Sequence, residues 1–212
     1  MRIIRTKNYE DMSRKAASII AAQVIHKPDC VLGLATGGTP VGTYKNLVAW
    51  YNAGDLDFAE VKTVNLDEYR NLPREHQESY WSFMHRNLFD HVNIPADKIN
   101  LPNGNNQDAE AECAAYDAVI ASLGGVDLTD ETIEANKRFF NSKDEVPRQA
   151  YTMGTGTIMN ARKVLMIVSG KDKAEIIKKA FFGPVTPQVP ASILQMHPNF
   201  VLVADEDALS LV

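Results

Sequence analysis

The stretch Cys30-Val31-Leu32-Gly33-Leu34-Ala35-Thr36-Gly37-Gly38-Thr39-Pro40 carries an apolar strand pattern into two adjacent glycines flanked by hydroxyls. Pro40 then opens the helical-looking stretch Val41–Trp50. Proline suits a first helical position because its missing N–H would have had no partner there. Gly37 and Gly38 let the backbone approach a ligand closely, in conformations that a Cβ forbids. The helix N-terminus beyond them offers free N–H groups and a partial positive charge to an anion. Strand, glycine turn and helix together read as a phosphate cradle, with a ligand-free tight turn as the plainer alternative.

The next β-rich run, Val61-Lys62-Thr63-Val64-Asn65-Leu66-Asp67-Glu68-Tyr69, ends in two acids. Ligands of open α/β sheets bind beyond the carboxyl ends of the strands. Asp67 and Glu68 are therefore expected at the same edge as the Gly37-Gly38 turn. Acids also favour helix starts, and that alternative stands for Glu68. For Asp67, strand alternation would turn Asn65, Asp67 and Tyr69 the same way, which favours a place in the site.

Outward from these two segments, strands and helices alternate. Residues 1–5 read as a strand, Asn8 to Ile25 as a helix, and Asp108 to Ser122 as an Ala- and Glu-rich helix. Ser79 to His91 reads as one aromatic-rich amphipathic helix whose Trp81 and Met84 face the core, and whose His85 and His91 lack a metal-type partner. Asp130 to Phe140 looks helical. Met153-Gly154-Thr155-Gly156-Thr157 resembles a second glycine turn. Lys163–Ser169 is a continuous apolar run, the pattern of a strand buried on both faces. A helix over Lys173–Phe182, a helical Pro190–Met196 and a final strand Phe200–Ala204 complete the chain. The alternation predicts a three-layer, Rossmann-like α/β fold: an open, mostly parallel sheet with helices on both faces.

The 212 residues suit a single α/β domain with a substantial core. Hydrophobic residues make up 45% and charged residues 23%, as in ordinary soluble proteins. A net charge of −5 gives no reason to expect a nucleic-acid or membrane-surface partner. No apolar run approaches membrane-spanning length and no leader h-region precedes the first helix, so the cytoplasm is the expected compartment. Cys30 and Cys113 lie far apart in no metal-like spacing and are expected to be reduced.

Leu34-Ala35-Thr36-Gly37-Gly38-Thr39-Pro40, Asn65-Leu66-Asp67-Glu68-Tyr69 and Ser79-Tyr80-Trp81-Ser82-Phe83-Met84 together resemble the glucosamine-6-phosphate deaminases. Asn136-Lys137-Arg138-Phe139-Phe140, Ser169-Gly170-Lys171-Asp172-Lys173-Ala174 and Ser192-Ile193-Leu194-Gln195-Met196-His197 extend the likeness from end to end. That family converts glucosamine 6-phosphate and water into fructose 6-phosphate and ammonia through an aldose-to-ketose isomerisation. The resemblance implies that Asp67 is the base that moves a proton between C2 and C1. It implies that Thr36, Gly37, Gly38 and Thr39 hold the phosphate, helped by the cations Arg138 and Lys173, with Glu68 as possible support. Arg138 would lie in a mobile lid. The resemblance implies no metal or organic cofactor, a hexosamine 6-phosphate as the molecular partner, and either a monomer or a homo-oligomer.

One departure is large. After the helix that ends near Gly124-Gly125, the family carries a buried strand and a loop of the form Gly-x-Gly-x-(Asp/Asn)-Gly-His-Ile-(Gly/Ala)-Phe-Asn-Glu-Pro. Here Val126-Asp127 runs directly into Leu128-Thr129-Asp130-Glu131, which resembles the region beyond that loop. A strand-plus-loop segment of about 25–30 residues is thus absent after Asp127, and with it the histidine associated with sugar-ring opening. The sheet is expected to be one strand short. Two other classes stay open: a sugar-phosphate sensing module, and a related enzyme such as a 6-phosphogluconolactonase. Absence of the histidine loop speaks for the first and retention of Asp67 against it; the Asn65–Tyr69 and Asn136–Phe140 segments speak against the second.

Overall fold

The structure, a computed structural model, describes residues 1–132, 147 and 149–212. Seven strands form one parallel sheet: β1 (Arg2–Thr6), β2 (Val31–Leu34), β3 (Lys62–Asn65), β5 (Ile99–Asn100), β6 (Leu128–Thr132), β8 (Val164–Val168) and β9 (Phe200–Asp205), in the order β1-β9-β8-β6-β2-β3-β5. A separate antiparallel pair joins β4 (Asp67–Tyr69) to β7 (Ala150–Thr152).

Helices cover both faces, and successive residues of each strand serve the two cores alternately. Leu32, Leu34, Leu165, Ile167, Val201 and Val203 pack with α1 (Tyr9–His26), α2 (Val41–Asn52) and α3 (Tyr80–Asn87). Val31, Val64, Val164, Met166, Phe200 and Leu202 pack with α4 (Ala109–Ser122), α5 (Thr155–Met159) and α6 (Ala174–Phe181). This two-sided burial explains why β8 and β9 contain unbroken apolar runs rather than an alternation. At about 1.5–3 kcal/mol for each large side chain, such burial dominates the stability of the fold.

Local signals set the helix starts. Asn8 accepts from Asp11 N–H at 3.0 Å and Asp108 accepts from Ala111 N–H at 3.0 Å, capping α1 and α4. The expected long aromatic helix is shorter. It stops at Asn87, and Phe89–His91 forms a separate 3₁₀ turn. There His85 Nδ1 lies 2.6 Å from Asp90, and His91 Nε2 lies 2.9 Å from the Arg86 carbonyl. The Pro190–Met196 segment is likewise 3₁₀ rather than α.

The centre of the sheet departs furthest from expectation. Among the described residues, Asp130–Thr132 form strand rather than the start of a helix, and the rest of the Asp130–Phe140 segment lies outside them. Leu128–Thr132 is a strand, and it fills the position between β2 and β8. Leu128 and Thr129 pair with Leu32 and Gly33, while Thr129 to Thr132 pair with Val164 to Ile167. The backbone groups of two buried neighbours need partners, and the chain arriving from Asp127 supplies them. Asp127 N–H donates to Val31 O at 2.8 Å. Its buried carboxylate accepts from Val31 N–H at 2.8 Å, from Lys27 Nζ at 2.7 Å and from Arg162 Nη1 at 2.7 Å. Burial works to raise the pKa of this carboxyl, but those hydrogen bonds and the two cations hold it below the ordinary carboxylate value. Asp127 thus anchors the entry of β6 at the amino edge of the sheet.

Candidate active site

Strand order reverses at β2. From there β3 and β5 lie on one side, and β6, β8 and β9 on the other. The crevice outside the carboxyl ends at such a switch point is where open α/β sheets bind ligands. The turn after β2 sits at that point. Gly37 has φ +98°, a left-handed conformation that explains a glycine there. Pro40 precedes α2 and gives it no side-chain cap, so the first-turn N–H groups depend on other acceptors. Thr36 is buried, and its side chain is hydrogen-bonded with the Tyr80 hydroxyl, which also bonds Tyr69.

Asp67 reaches the same edge through the neighbouring strand. Leu66 N–H donates to Leu34 O at 3.2 Å, tying the end of β3 to the end of β2. The chain then leaves the main sheet. Leu66 O accepts from Met153 N–H at 2.7 Å, and Asp67 pairs with Thr152 across the β4–β7 ribbon. The strand alternation expected from Asn65 through Tyr69 is therefore interrupted at Leu66, because two different sheets share this run. Asp67 is placed by the ribbon. Burial, with the Glu68 charge as a lesser cause, pushes its pKa up to about 7.

Glu68 has a structural task. Its carboxylate accepts from Tyr80 N–H at 3.0 Å, Trp81 N–H at 2.9 Å and Tyr69 N–H at 2.8 Å, so it caps α3 from a distant strand. Burial raises its pKa, and the three backbone bonds oppose that shift. Gly104 lies under the same ribbon, where a Cβ would come within 2.1 Å of Tyr69 O.

Lys173 ends the 3₁₀ turn that follows β8, two strands from β2, or about 10 Å at the usual strand spacing. Its ammonium pairs with Asp172 at 3.0 Å. The loop leading to it is tethered by Asp205 at the end of β9, which accepts from Ser169 Oγ at 2.5 Å and from Gly170 N–H at 3.1 Å. Arg138, the other expected cation, lies outside the described residues, as does most of the segment expected to form a helix from Asp130. In the sequence, Tyr80 has a place only within the aromatic segment that carries the resemblance, with no role of its own, and Asp205 is not singled out. Tyr80 reads as part of the aromatic-rich helix, and Asp205 lies one residue beyond the strand read over Phe200–Ala204.

The arrangement places a glycine turn at a helix N-terminus and a carboxyl poised near neutral pH at one edge of the sheet, a combination that would suit proton abstraction from a phosphorylated substrate. Among the described residues no group of three His, Cys, Asp or Glu could hold a metal ion, and no helix is long and apolar enough to cross a membrane. The histidines are placed elsewhere. His197 bonds Ala161 O, His85 and His91 are held as above, His76 accepts from Glu78 N–H, and His26 ends α1 at the opposite edge.

Comparison with known proteins identifies the family. The chain is 49% identical to the glucosamine-6-phosphate deaminase of Lachnoclostridium phytofermentans, over 96% of this chain and 98% of the relative. It is 46% identical to that of Clostridium perfringens, over the whole of both. The second alignment runs over 241 positions against 212 residues here, so the relative carries positions that this chain lacks. A solved monomeric glucosamine-6-phosphate deaminase superposes with a TM-score of 0.97 at 36% identity, covering 100% of both chains. A 6-phosphogluconolactonase from Trypanosoma cruzi superposes at 0.79 over 100% of this chain and 96% of its own, but at 18% identity it shares the fold alone. Residues 5–139 match the family described as glucosamine-6-phosphate isomerases/6-phosphogluconolactonase, and the chain belongs to that family.

Proposed function

We propose that this protein is a deaminating aldose–ketose isomerase acting on glucosamine 6-phosphate, with Asp67 as the base that carries a proton between C2 and C1. The observation that carries the reading is a carboxyl whose pKa is pushed up to about 7, held one residue from the point where β3 is bonded to the end of β2. A base in that range takes a carbon-bound proton and returns it without being trapped in either form. The phosphate rests on Thr36, Gly37, Gly38 and Thr39 at the start of α2, and Lys173 and Arg138 add positive charge. The names of the full-length relatives support glucosamine 6-phosphate over a lactone.

The absent histidine loop confines what the described residues contribute. Proton transfer at C2 and phosphate binding have residues assigned to them, whereas ring opening has none. The substrate is thus taken in its open-chain form, and ammonia release is limited by the supply of that form. The test measures ammonia from glucosamine 6-phosphate and deuterium uptake from solvent into fructose 6-phosphate, on one sample of verified mass. Solvent exchange is expected in the wild-type protein and its loss in Asp67→Asn. Exchange that persists in Asp67→Asn would remove Asp67 from the mechanism. Fast ammonia release without the loop would show that another residue of the chain assists ring opening.

A further inference from the structure

We propose that Tyr9 is a positioning residue for the phosphate turn, locking the Gly38–Thr39 peptide in the orientation that receives an anion; this rests on the reading of Thr36–Thr39 given above. Tyr9 is the first residue of α1, far from the turn in sequence. Its hydroxyl donates to Gly38 O at 3.0 Å and accepts from Gly42 N–H at 2.8 Å. One phenol oxygen therefore clamps both ends of the segment that joins the glycine turn to α2.

Two consequences follow from elementary geometry. Gly42 is the second residue of α2, and its N–H is one of the first-turn donors for which the helix has no acceptor of its own. Pro40 offers no capping side chain, so the Tyr9 hydroxyl takes that place from another helix. The second consequence concerns Gly38. In a planar trans peptide the carbonyl and the following N–H point in opposite directions. With Gly38 O drawn toward α1, Thr39 N–H is turned away from it. A glycine peptide flips at little steric cost, and the flipped form would present a carbonyl oxygen where a phosphate needs a donor. The bond from Tyr9 opposes that flip.

Close packing brings the hydroxyl within reach. A Cβ on Gly42 would lie 2.3 Å from Ser13 Oγ and 3.0 Å from Tyr9 Cε1, so the starts of α1 and α2 touch only because residue 42 has no side chain.

The experiment is calorimetric titration of wild type, Tyr9→Phe and Lys173→Ala with inorganic phosphate and with fructose 6-phosphate, beside amide-resolved NMR. Both ligands should bind Tyr9→Phe about tenfold more weakly. In the wild type, phosphate should move the Thr39 amide resonance and leave that of Gly42, already bonded to Tyr9, in place. Unchanged affinity in Tyr9→Phe, with Lys173→Ala weakened, overturns the role of Tyr9 and leaves the phosphate reading standing. A wild-type protein that binds neither ligand overturns both. Should Tyr9→Phe fail to fold, the wild-type amides decide alone, and a Thr39 amide that ignores phosphate overturns the proposal.

Discussion

Replacing Asp67 with Asn should make the protein more stable while it stops proton transfer. The native carboxyl keeps its proton up to about pH 7, whereas the unfolded chain releases it near the ordinary 3.8. Between those values the native state binds more protons, so stability falls as pH rises through the window and the whole penalty is present above it. At 1.36 kcal/mol per pH unit the gap corresponds to about 4 kcal/mol as an upper bound. Asp67 keeps some solvent contact, so about half of that, ~2 kcal/mol, is the expected gain for a neutral side chain of the same shape. For a chain of this size that gain raises Tm by about 4–8 °C. Urea unfolding of both proteins at about pH 8 and about pH 5.5 measures it, and the difference should shrink by roughly half at the lower pH. The acid limb of kcat/KM for the wild type should lie at about 7, since only the ionised form acts as base. An Asn variant no more stable than the wild type at about pH 8, or a difference that ignores pH, would refute the argument that burial sets the properties of this carboxyl.

Asp127→Asn should destabilise the fold by about 1–3 kcal/mol, because Val31 N–H, Lys27 and Arg162 lose a buried charged acceptor. The two cations are 41% and 60% exposed and regain water, which keeps the cost in the lower part of the range for buried pairs. The Asp127 carboxyl sits below its ordinary pKa, so its contribution is present above the ordinary 3.8 and is lost as pH falls below it; acid titration of wild type and variant should therefore converge. Gly104→Ala should lower both stability and solvent exchange at C1 of fructose 6-phosphate, since its Cβ would meet Tyr69 O at 2.1 Å and displace the strand that carries Asp67. Thermal melting with deuterium uptake checks this, and an alanine variant with wild-type values for both would show that β4 tolerates the shift.

The parts of this protein that were legible in its sequence are those whose physics is local. An apolar run ending in two glycines and a proline specifies β2, its turn and α2 over a dozen residues. Asn8 and Asp108 announce the starts of α1 and α4 through caps made within three residues. The unbroken apolar stretches of β8 and β9 imply a sheet covered on both faces, whatever their neighbours are. Tertiary structure decided the rest, because the partners lie far apart along the chain. The ribbon that aims Asp67 joins it to Thr152, and no periodicity in either segment names the other. Glu68 reads as a helix-start acid but caps a helix twelve residues on. Tyr9 lies inside the stretch read as the first helix, and only the contact of two helix starts brings its hydroxyl to Gly38 and Gly42. Leu128-Thr129-Asp130-Glu131-Thr132 has the composition of a helix start. It lies in the middle of the sheet because two buried strands leave a row of backbone donors and acceptors between them, and pairing those groups outweighs the local preference of five residues.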